Sequence, residues 1–317
     1  MNKKLAIGAA IALMAICASS IAAYNQLSAT RITISGAWAL YPMMVRWSEE
    51  YKKVHPEVRI ELSAGGAGKG MTDTLSGLVD IGMVSRKIYQ EEVDQGAFWV
   101  AVVKDAVVPT MHKDNPVSQQ ISSQGISRST FMGIYIHQNI TNWGQVINSP
   151  QTTDEIHVYA RSDSCGAAET WANYLGKRQE DLKGTGVYGD PGLAEAVRND
   201  PLGIGFNNVN YAYDANSGEP VEGLSIIPMD LDGNDRIDEH EDFYDTRAEI
   251  IAAIATGAYP SPPARELNLV GKGKFAGATR DFVEWILSEG QQYALETGYV
   301  QLSEQKRAEE LAKMEQD

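Results

Sequence analysis

Three short turns, rich in glycine, alanine or serine, each separate a predicted strand from a predicted helix. They run over 35–40, 64–70 and 161–167. Each would leave backbone N–H groups free in the first turn of a helix, where the helix dipole also favours negative charge. One such turn is more often a plain chain reversal. Three of them, two with a cation (Lys69 and Arg161), favour a shared oxyanion pocket.

Short apolar segments alternate with amphipathic ones along the rest of the chain. The pattern predicts an α/β fold with mostly parallel sheets, in which such turns lie at the carboxyl ends of the strands. Strands are predicted at 31–35, 59–63, 79–83, 99–111 (broken by Asp105 and Pro109), 156–160, 203–206 and 224–228. Helices are predicted at 42–54, 71–78, 167–175, 194–198, 249–255 and 279–289, with a charged helical tail at 303–317 that we expect to be solvated.

The net charge restricts the classes of partner. The 317 residues carry a formal charge of −15, which argues against nucleic acid because a phosphate backbone requires a basic face. A small anion is still compatible, provided that a local cluster of donors offsets the overall field.

The N-terminus predicts export. Lys3 and Lys4 precede an uncharged, mostly apolar run from Leu5 to Ala23, the pattern of a secretory signal. The run is also long enough for a membrane span, so residues 1–29 are a signal peptide or an N-terminal anchor. Lipidation at Cys17 is disfavoured because Ile16 stands where Gly or Ala is needed. We expect a periplasmic or extracellular protein in each case.

Five stretches together resemble one known family. They are 36–51, 79–86, 104–116, 161–166 and 282–300. In their order and spacing the chain resembles the periplasmic phosphate-binding proteins of phosphate ABC transporters, over nearly everything after the signal.

The resemblance implies the type II periplasmic-binding-protein fold, with two lobes and a hinged cleft. Lobe 1 is expected at 30–112 plus 245–302 and lobe 2 at 113–244, with crossing segments near Val107–His112 and Asp242–Thr246. The resemblance also implies that Arg161 binds the oxyanion with its guanidinium fork and that Asp163 orients Arg161. The expected anion-binding residues are Trp38, Ala39, Ala67, Gly68, Lys69, Ser85, Arg86, Arg161, Cys165, Gly166 and Ala167.

The chain departs from the family pattern at several of these positions. Trp38, Ala67, Cys165 and Ala167 stand where the family has hydroxyl residues, so side-chain donors are lost while backbone N–H groups remain. Trp38 could wall the pocket or be a core aromatic residue. Arg86 stands where some members have a carboxylate that accepts the proton of hydrogen phosphate. Without that acceptor, discrimination between oxyanions weakens.

Lys69 and Arg86 could compensate with charge, or could be an exposed lysine and a salt-bridged arginine. The expected ligand is therefore phosphate, with molybdate, tungstate or sulfate as alternatives. We expect delivery to an ABC permease in the membrane, by a monomer; an anion sensor without a transporter is the other option.

A twelve-residue acidic segment, 230–241, has the ligand spacing of an EF-hand loop. Asp235 replaces the glycine expected at position 6, which requires a left-handed backbone there. The sequence predicts a lone structural Ca²⁺ site; an acidic surface loop is the alternative. The expected ligands are Asp230, Asp232, Asn234, Arg236 (through its carbonyl), Asp238 and Glu241.

Nothing in the sequence favours an enzyme. The five histidines have no metal-ligand spacing. The sharpest enzymatic alternative is a secreted thiol hydrolase built on Cys165, because a helix N-terminus beside Arg161 can lower a thiol pKa.

Overall fold

A mixed sheet of ten strands runs through the part of the chain that the computed structural model describes, residues 30–315. Two further strands, β5 and β10 below, pair only with each other. The strands are β1 (Thr30–Gly36), β2 (Val58–Ala64), β3 (Ile81–Val84), β4 (Ala97–His112), β5 (Ile126–Ser127), β6 (His157–Arg161), β7 (Thr185–Val187), β8 (Gly203–Asn208), β9 (Leu224–Ile226), β10 (Met229–Asp230), β11 (Ala264–Lys272) and β12 (Val300–Gln301).

Helices lie in the connections between these strands. They are α1 (Tyr41–Val54), α2 (Ala67–Leu75), α3 (Gln90–Asp94), α4 (Ser118–Gln124), α5 (Arg128–Met132), α6 (Trp143–Val146), α7 (Gly166–Tyr174), α8 (Gly189–Arg198), α9 (Val209–Ala212), α10 (Arg247–Thr256), α11 (Gly277–Leu287) and α12 (Glu304–Glu315). Short 3₁₀ segments lie at Trp38–Leu40, Gln179–Asp181 and Glu289–Tyr293, and a π-helical turn at Gly133–His137.

The pattern of buried residues explains the first helix. Met43, Met44, Trp47, Glu50 and Tyr51 are its buried residues, so one face of α1 is turned to the core with helical periodicity. The polar positions between them stay outside. The apolar periodicity that predicted a helix over 42–54 is therefore the pattern that buries one face of α1.

The sheet order is β2-β1-β3-β11-β4-β8-β6-β7. β1 is parallel to β2 and β3, and β6 is parallel to β7 and β8. The two parallel groups are joined by β4 and β11, which are antiparallel to each other and to their neighbours. The expected mostly parallel sheet is thus two parallel halves joined by an antiparallel centre.

Strand β4 was expected to break at Asp105 and Pro109 but is continuous over 16 residues. Both residues are accommodated. Asp105 is fully buried, and the carbonyl of Pro109 accepts the N–H of Ile227 at 2.9 Å. One strand therefore passes through both halves of the molecule.

Two hydrophobic cores define the lobes. Lobe 1 has its core within 32–103 and 267–314, and lobe 2 has its core within 106–264. The packing therefore moves the second crossing from Asp242–Thr246 to the neighbourhood of Arg265. The reason is α10, which was assigned to lobe 1 but buries Ile250 and Ile254 in the core of lobe 2 with Tyr259.

The C-terminal helix α12 is packed against lobe 1, so the expectation of a solvated tail is wrong. Glu310 is fully buried and accepts the N–H of Ala101 at 3.2 Å. Its carboxylate also pairs with Lys306 at 2.9 Å and Lys313 at 2.7 Å. Met314 adds an apolar contact to the same core. A charged helix can therefore dock when its buried acid is paired.

The export signal or anchor predicted over 1–29 lies outside the described residues. Between residues 30 and 315, no helix combines the length and the apolar content that crossing a bilayer requires.

Candidate anion-binding site

The first two glycine-rich turns lie side by side in lobe 1. The carbonyl of Gly36, at the end of β1, accepts the N–H groups of Gly65 at 2.9 Å and Gly66 at 3.1 Å. Gly36 has φ +135°, and a Cβ there would lie 2.3 Å from the carbonyl oxygen of Met83. Glycine is therefore required for this close approach of backbones.

The second turn is the first turn of a helix and meets the other lobe. α2 begins at Ala67, four residues before the predicted start at Met71. The N–H of Gly68 donates to the carbonyl of Ser164 in lobe 2 at 3.1 Å. A Cβ on Gly68 would lie 2.6 Å from Oγ of Ser164. The helix N-terminus in lobe 1 thus abuts the third turn directly.

The third turn contacts Ser85 across the cleft. α7 begins at Gly166, and Sγ of its N-cap residue Cys165 accepts the N–H of Ala168 at 3.5 Å. A Cβ on Gly166 would lie 2.2 Å from both oxygens of Ser85. Ser85 follows β3 and is buried. The structure therefore brings the three turns and Ser85 next to one another at the boundary between the lobes.

Arg161, at the end of β6, is held by two carboxylates. Its side chain is 0% exposed. Nε and Nη2 donate to Asp163 at 2.8 and 2.6 Å, and Nη1 donates to Asp190 at 2.5 Å. A guanidinium has five N–H donors, so these three bonds leave two for a ligand. Burial alone would lower the pKa of Arg161, but Asp190, the Cys165 sulfur and Asp163 together raise it.

Asp190 was not identified from the sequence. It lies in the first turn of α8, and Oδ1 accepts Nδ2 of Asn208 at 2.7 Å and the N–H of Asn208 at 3.3 Å. The sequence prediction began this helix only at Ala194. A helix predicted to begin at Gly189 would have had Asp190 in its first turn, where a negative charge is favoured. That turn lies beside the end of the strand that carries Asn208.

Lys69 lies in the second turn and Arg86 follows Ser85, but each is engaged in an ion pair. Lys69 pairs with Asp73 one turn along α2, and Oγ of Ser35 also donates to Asp73 at 2.6 Å. Arg86 donates to Glu92 at 2.6 and 3.0 Å, and its guanidinium lies 4.6 Å from the centre of the Tyr89 ring. These contacts correspond to the alternative that the sequence left open for both residues.

Trp38 lies between the lobes. A Cβ on Gly189 of α8 would be 3.4 Å from the indole of Trp38. The carbonyl of Trp38 accepts the hydroxyl of Tyr211 at 3.1 Å, and the following residue, Ala39, is buried. Trp38 of lobe 1 thus contacts Gly189 and Tyr211 of lobe 2.

The environment of Cys165 disfavours the thiolate, which is the nucleophilic form of the side chain. The residue is 4% exposed. Burial, together with Asp163 and Asp190, raises the pKa of its thiol to about 12, although Arg161 acts in the other direction. The expectation that Arg161 and the helix N-terminus would lower this pKa is wrong, because the nearby carboxylates and burial outweigh them.

The acidic segment 230–241 folds back on itself in lobe 2. Oδ1 of Asp230 accepts the N–H groups of Gly233 at 2.7 Å and Asn234 at 3.1 Å, and Oδ2 accepts that of Asp235 at 3.1 Å. Asp235 has φ +59°, the left-handed backbone that the missing glycine required. Arg236 pairs with Asp238 through its side chain.

Two carboxylates of this loop are buried. Asp230 is 2% exposed and Glu241 is 0% exposed. Oε1 and Oε2 of Glu241 accept the N–H groups of Leu231 at 2.7 Å and Asp238 at 3.2 Å. Asp232, Glu241 and His240 each offer a ligand atom within 4.8 Å of the others. His240 was not among the expected ligands. The donor set, mainly carboxylate oxygens, fits a hard cation.

The fold and the cleft define a two-lobed binding protein that holds its candidate site between the lobes. A family model described as a PBP superfamily domain matches residues 23–290. The chain belongs to the PBP superfamily.

The relatives agree with the family resemblance. The chain is 24% identical over 277 residues to the phosphate-binding protein PstS of Bacillus subtilis, covering 87% of this chain and 82% of that protein. It is 25% identical over 330 residues to PstS of Methanocaldococcus jannaschii, covering 88% and 85%. These relatives are named as binding proteins rather than enzymes.

Solved structures share the fold. One is a putative phosphate ABC transporter substrate-binding protein with bound phosphate from Clostridium perfringens, with TM-score 0.69, 22% identity and coverage of 86% of this chain and 100% of that one. Another is an ABC-type phosphate transport receptor from Vibrio cholerae, with TM-score 0.61, 20% identity and coverage of 86% and 100%. The predicted type II periplasmic-binding-protein fold is confirmed.

Proposed function

We propose that the protein binds phosphate outside the cytoplasm and delivers it to the permease of an ABC importer. The names of the relatives from Bacillus subtilis and Methanocaldococcus jannaschii support phosphate as the ligand. The expected export signal supports the location, and the name of the Clostridium perfringens structure supports the ABC transporter partner.

The observation that carries the proposal is the position of Arg161. Asp163 and Asp190 orient its guanidinium and leave two of its N–H groups without a hydrogen bond to these carboxylates. The guanidinium lies beside the N-termini of α2 and α7. The two remaining N–H groups, one on Nη1 and one on Nη2, can each donate to an oxygen of a tetrahedral oxyanion. The first N–H groups of a helix have no intrahelical partner and complete such a site without hydroxyl side chains.

The identity of the oxyanion depends on the lost hydroxyls. Backbone N–H groups and a guanidinium donate to any tetrahedral oxyanion, so molybdate, tungstate or sulfate is the second candidate. Arg86, which replaces the carboxylate of some relatives, favours this second candidate, since a site without an acceptor does not select a protonated anion.

Calorimetric titration tests the proposal. The exported protein is titrated with phosphate, sulfate, molybdate and tungstate, and Arg161→Gln is the site variant. We expect tight binding of phosphate and at least a 100-fold loss in Arg161→Gln. Tight binding of another anion alone would change the assigned ligand, but the protein would remain an anion-binding protein of this class. Absence of binding to all four would overturn the proposal.

We also infer that Ca²⁺ binds the 230–241 loop as a structural ion. Asp230 and Glu241 are buried carboxylates without an ion-pair partner among residues 30–315. Buried charge of one sign is costly unless a counter-ion offsets it. A hard divalent cation held by Asp230, Asp232, Asn234 and Glu241 would supply that charge.

A further inference from the structure

A second arginine lies at the boundary of the lobes, beside the candidate site. Arg265 is on β11, and its side chain is 9% exposed. Its Nε donates to the carbonyl of Ser85 at 3.3 Å, and its Nη2 donates to Oδ1 of Asn208. Ser85 follows β3 of lobe 1, and Asn208 ends β8 of lobe 2. The guanidinium is thus placed at the carboxyl ends of one strand from each lobe, where ligands bind in α/β folds.

The third nitrogen of Arg265 is buried without a partner. Within residues 30–315, Nη1 forms no hydrogen bond, and neither do the two carboxylate oxygens of Asp105. The nearest approach between Nη1 and Asp105 is 3.8 Å. A buried guanidinium in so loose a pair retains much of its capacity to attract another anion.

The charge of the site requires such a cation. Arg161 is flanked by two carboxylates, Asp163 and Asp190, so this cluster carries a net charge of −1. Lys69 and Arg86, the cations predicted to compensate, are each paired with an acid of their own. An oxyanion that meets Arg161 would therefore face a net negative group unless another positive charge lies close by.

A hydrogen-bonded path connects the two arginines. Arg265 donates to Asn208, Asn208 donates to Asp190 at 2.7 Å, and Asp190 accepts from Arg161 at 2.5 Å. The other end of the path is Ser85, which contacts Gly166 of the third turn. Arg265 therefore links the main chain of Ser85 in lobe 1 to the side chain of Arg161 in lobe 2.

We propose that Arg265 is the second cation of the anion site and a positioning residue for it. It supplies the positive charge that the Arg161 cluster lacks, and it holds Ser85 and Asn208 in register across the cleft. This inference rests on the proposed function, oxyanion binding, and names an affinity-determining residue of that same site.

Another arginine of the chain offers a control. Arg265 lines a cavity of about 690 Å³ between the lobes, together with Asn173 of α7. Arg280 of α11 is paired with Glu284 at 2.6 Å and is 40% exposed, whereas Arg265 is 9% exposed and only loosely paired. The two arginines thus differ in the burial and the pairing that the inference uses.

The experiment compares phosphate affinities of the full exported chain. Wild type, Arg265→Gln, Arg265→Lys, Arg265→His and Arg280→Gln are titrated calorimetrically, and thermal unfolding confirms that each is folded. We expect the Kd of Arg265→Gln to rise at least 30-fold, because charge and fork are both lost. Arg265→Lys should restore affinity to within about 5-fold of wild type, and Arg280→Gln should stay within about 3-fold.

The histidine variant separates charge from structure. Its affinity is expressed relative to wild type at the same pH, at pH 8 and at pH 5.5. The groups facing this position are Asp105 of β4, Asn208 of β8 and Ser85 after β3. We expect the deficit of Arg265→His to shrink at least 5-fold at the lower pH, where histidine is charged.

The outcomes are distinguishable. If wild type binds none of the tested oxyanions, the proposed function fails. If wild type binds phosphate and Arg265→Gln binds it equally well, only the role of Arg265 is overturned. If Arg265→Gln does not fold, Arg265→His decides: a deficit that is the same at both pH values would overturn the role of charge.

Discussion

Arg161 donates through Nη1 to Oδ2 of Asp190 at 2.5 Å, and the two side chains are 0% and 1% exposed. The contact joins the end of β6 to the start of α8, two elements of lobe 2. Because water cannot replace either partner, the energetic consequences of removing one are large.

Asp190→Ala is expected to lower the free energy of unfolding by about 3 kcal/mol, because it leaves a buried guanidinium under-compensated. Urea denaturation measures the change. Glu195→Ala on the same helix is the control, since Glu195 is 59% exposed in its pair with Arg198. It should cost less than about 0.5 kcal/mol. Equal costs for both variants would contradict the assigned importance of Asp190.

Lys69→Gln is expected to change phosphate affinity by less than about 3-fold, because Lys69 is paired with Asp73 and 43% exposed. Although burial acts in the other direction, hydrogen bonds from Lys69 and Ser35 hold the pKa of Asp73 below its usual value, so Asp73 stays ionised at neutral pH. Calorimetric titration beside Arg161→Gln checks the contrast. A large loss in Lys69→Gln would show that Lys69 leaves Asp73 for the anion.

Asp105 should make stability depend on pH near neutrality. Burial raises its pKa to about 7, against the opposing effect of Arg265. The protonated form is thus favoured in the folded state. The resulting stabilisation is complete below about pH 4 and is lost as the pH rises to about 7, at roughly 1 kcal/mol per pH unit.

Asp105→Asn should remove this dependence. Urea denaturation of wild type and variant at pH 5, 6, 7 and 8 gives the difference in unfolding free energy at each pH, which cancels the titration of other groups. The wild type should lose stability relative to Asp105→Asn as the pH rises. A difference that does not vary with pH would rule out titration of Asp105 in this range.

The Cys165 thiol should be unreactive in the folded protein. With a pKa of about 12 and 4% exposure, less than about one part in a thousand is thiolate at pH 8. Labelling with an aromatic disulfide reagent is expected to proceed only in urea. Rapid labelling of the native protein at a rate above that of a model thiol would revive the thiol-hydrolase alternative.

Calcium should stabilise the protein through the 230–241 loop. Saturation at 100 times Kd adds about 2.7 kcal/mol to the free energy of unfolding. Thermal unfolding in Ca²⁺, Mg²⁺ and a chelator measures the effect, and Glu241→Gln should abolish it. Asp214→Asn, which changes an acid in a separate exposed turn, is the control for loss of charge. An unfolding temperature that is the same in Ca²⁺ and in the chelator would contradict the proposed Ca²⁺ site.

Much of the fold follows from local sequence patterns. The strands and helices around Gly36, Gly66 and Gly166 were predicted because apolar periodicity and glycine positions act over a few residues. The lobe boundary was misplaced because it depends on which core accepts Ile250 and Ile254 of α10, a long-range choice. The tail was misjudged for the same reason, since burial of Glu310 depends on Lys306 and Lys313 around it.

The candidate site also contains some residues that local sequence patterns reveal and others that depend on long-range packing. Arg161 and Asp163 lie in a predicted turn and Ser85 follows a predicted strand, so the sequence and the family resemblance could name them as candidates. Asp190 and Arg265 are far from these residues in sequence, and their contacts with Arg161 and Ser85 arise only in the folded chain, in which β11 and β8 flank β4. No spacing rule connects such residues, so three-dimensional structure was needed to find them.

The contacts that close the cleft have a bearing on how this protein could evolve. Three of them end on main-chain oxygens: Ser164 accepts from Gly68, Trp38 from Tyr211 and Ser85 from Arg265. A carbonyl oxygen is present whatever side chain its residue carries. Mutations that exchange hydroxyl side chains in the turns can therefore accumulate while the lobes still meet through these three contacts.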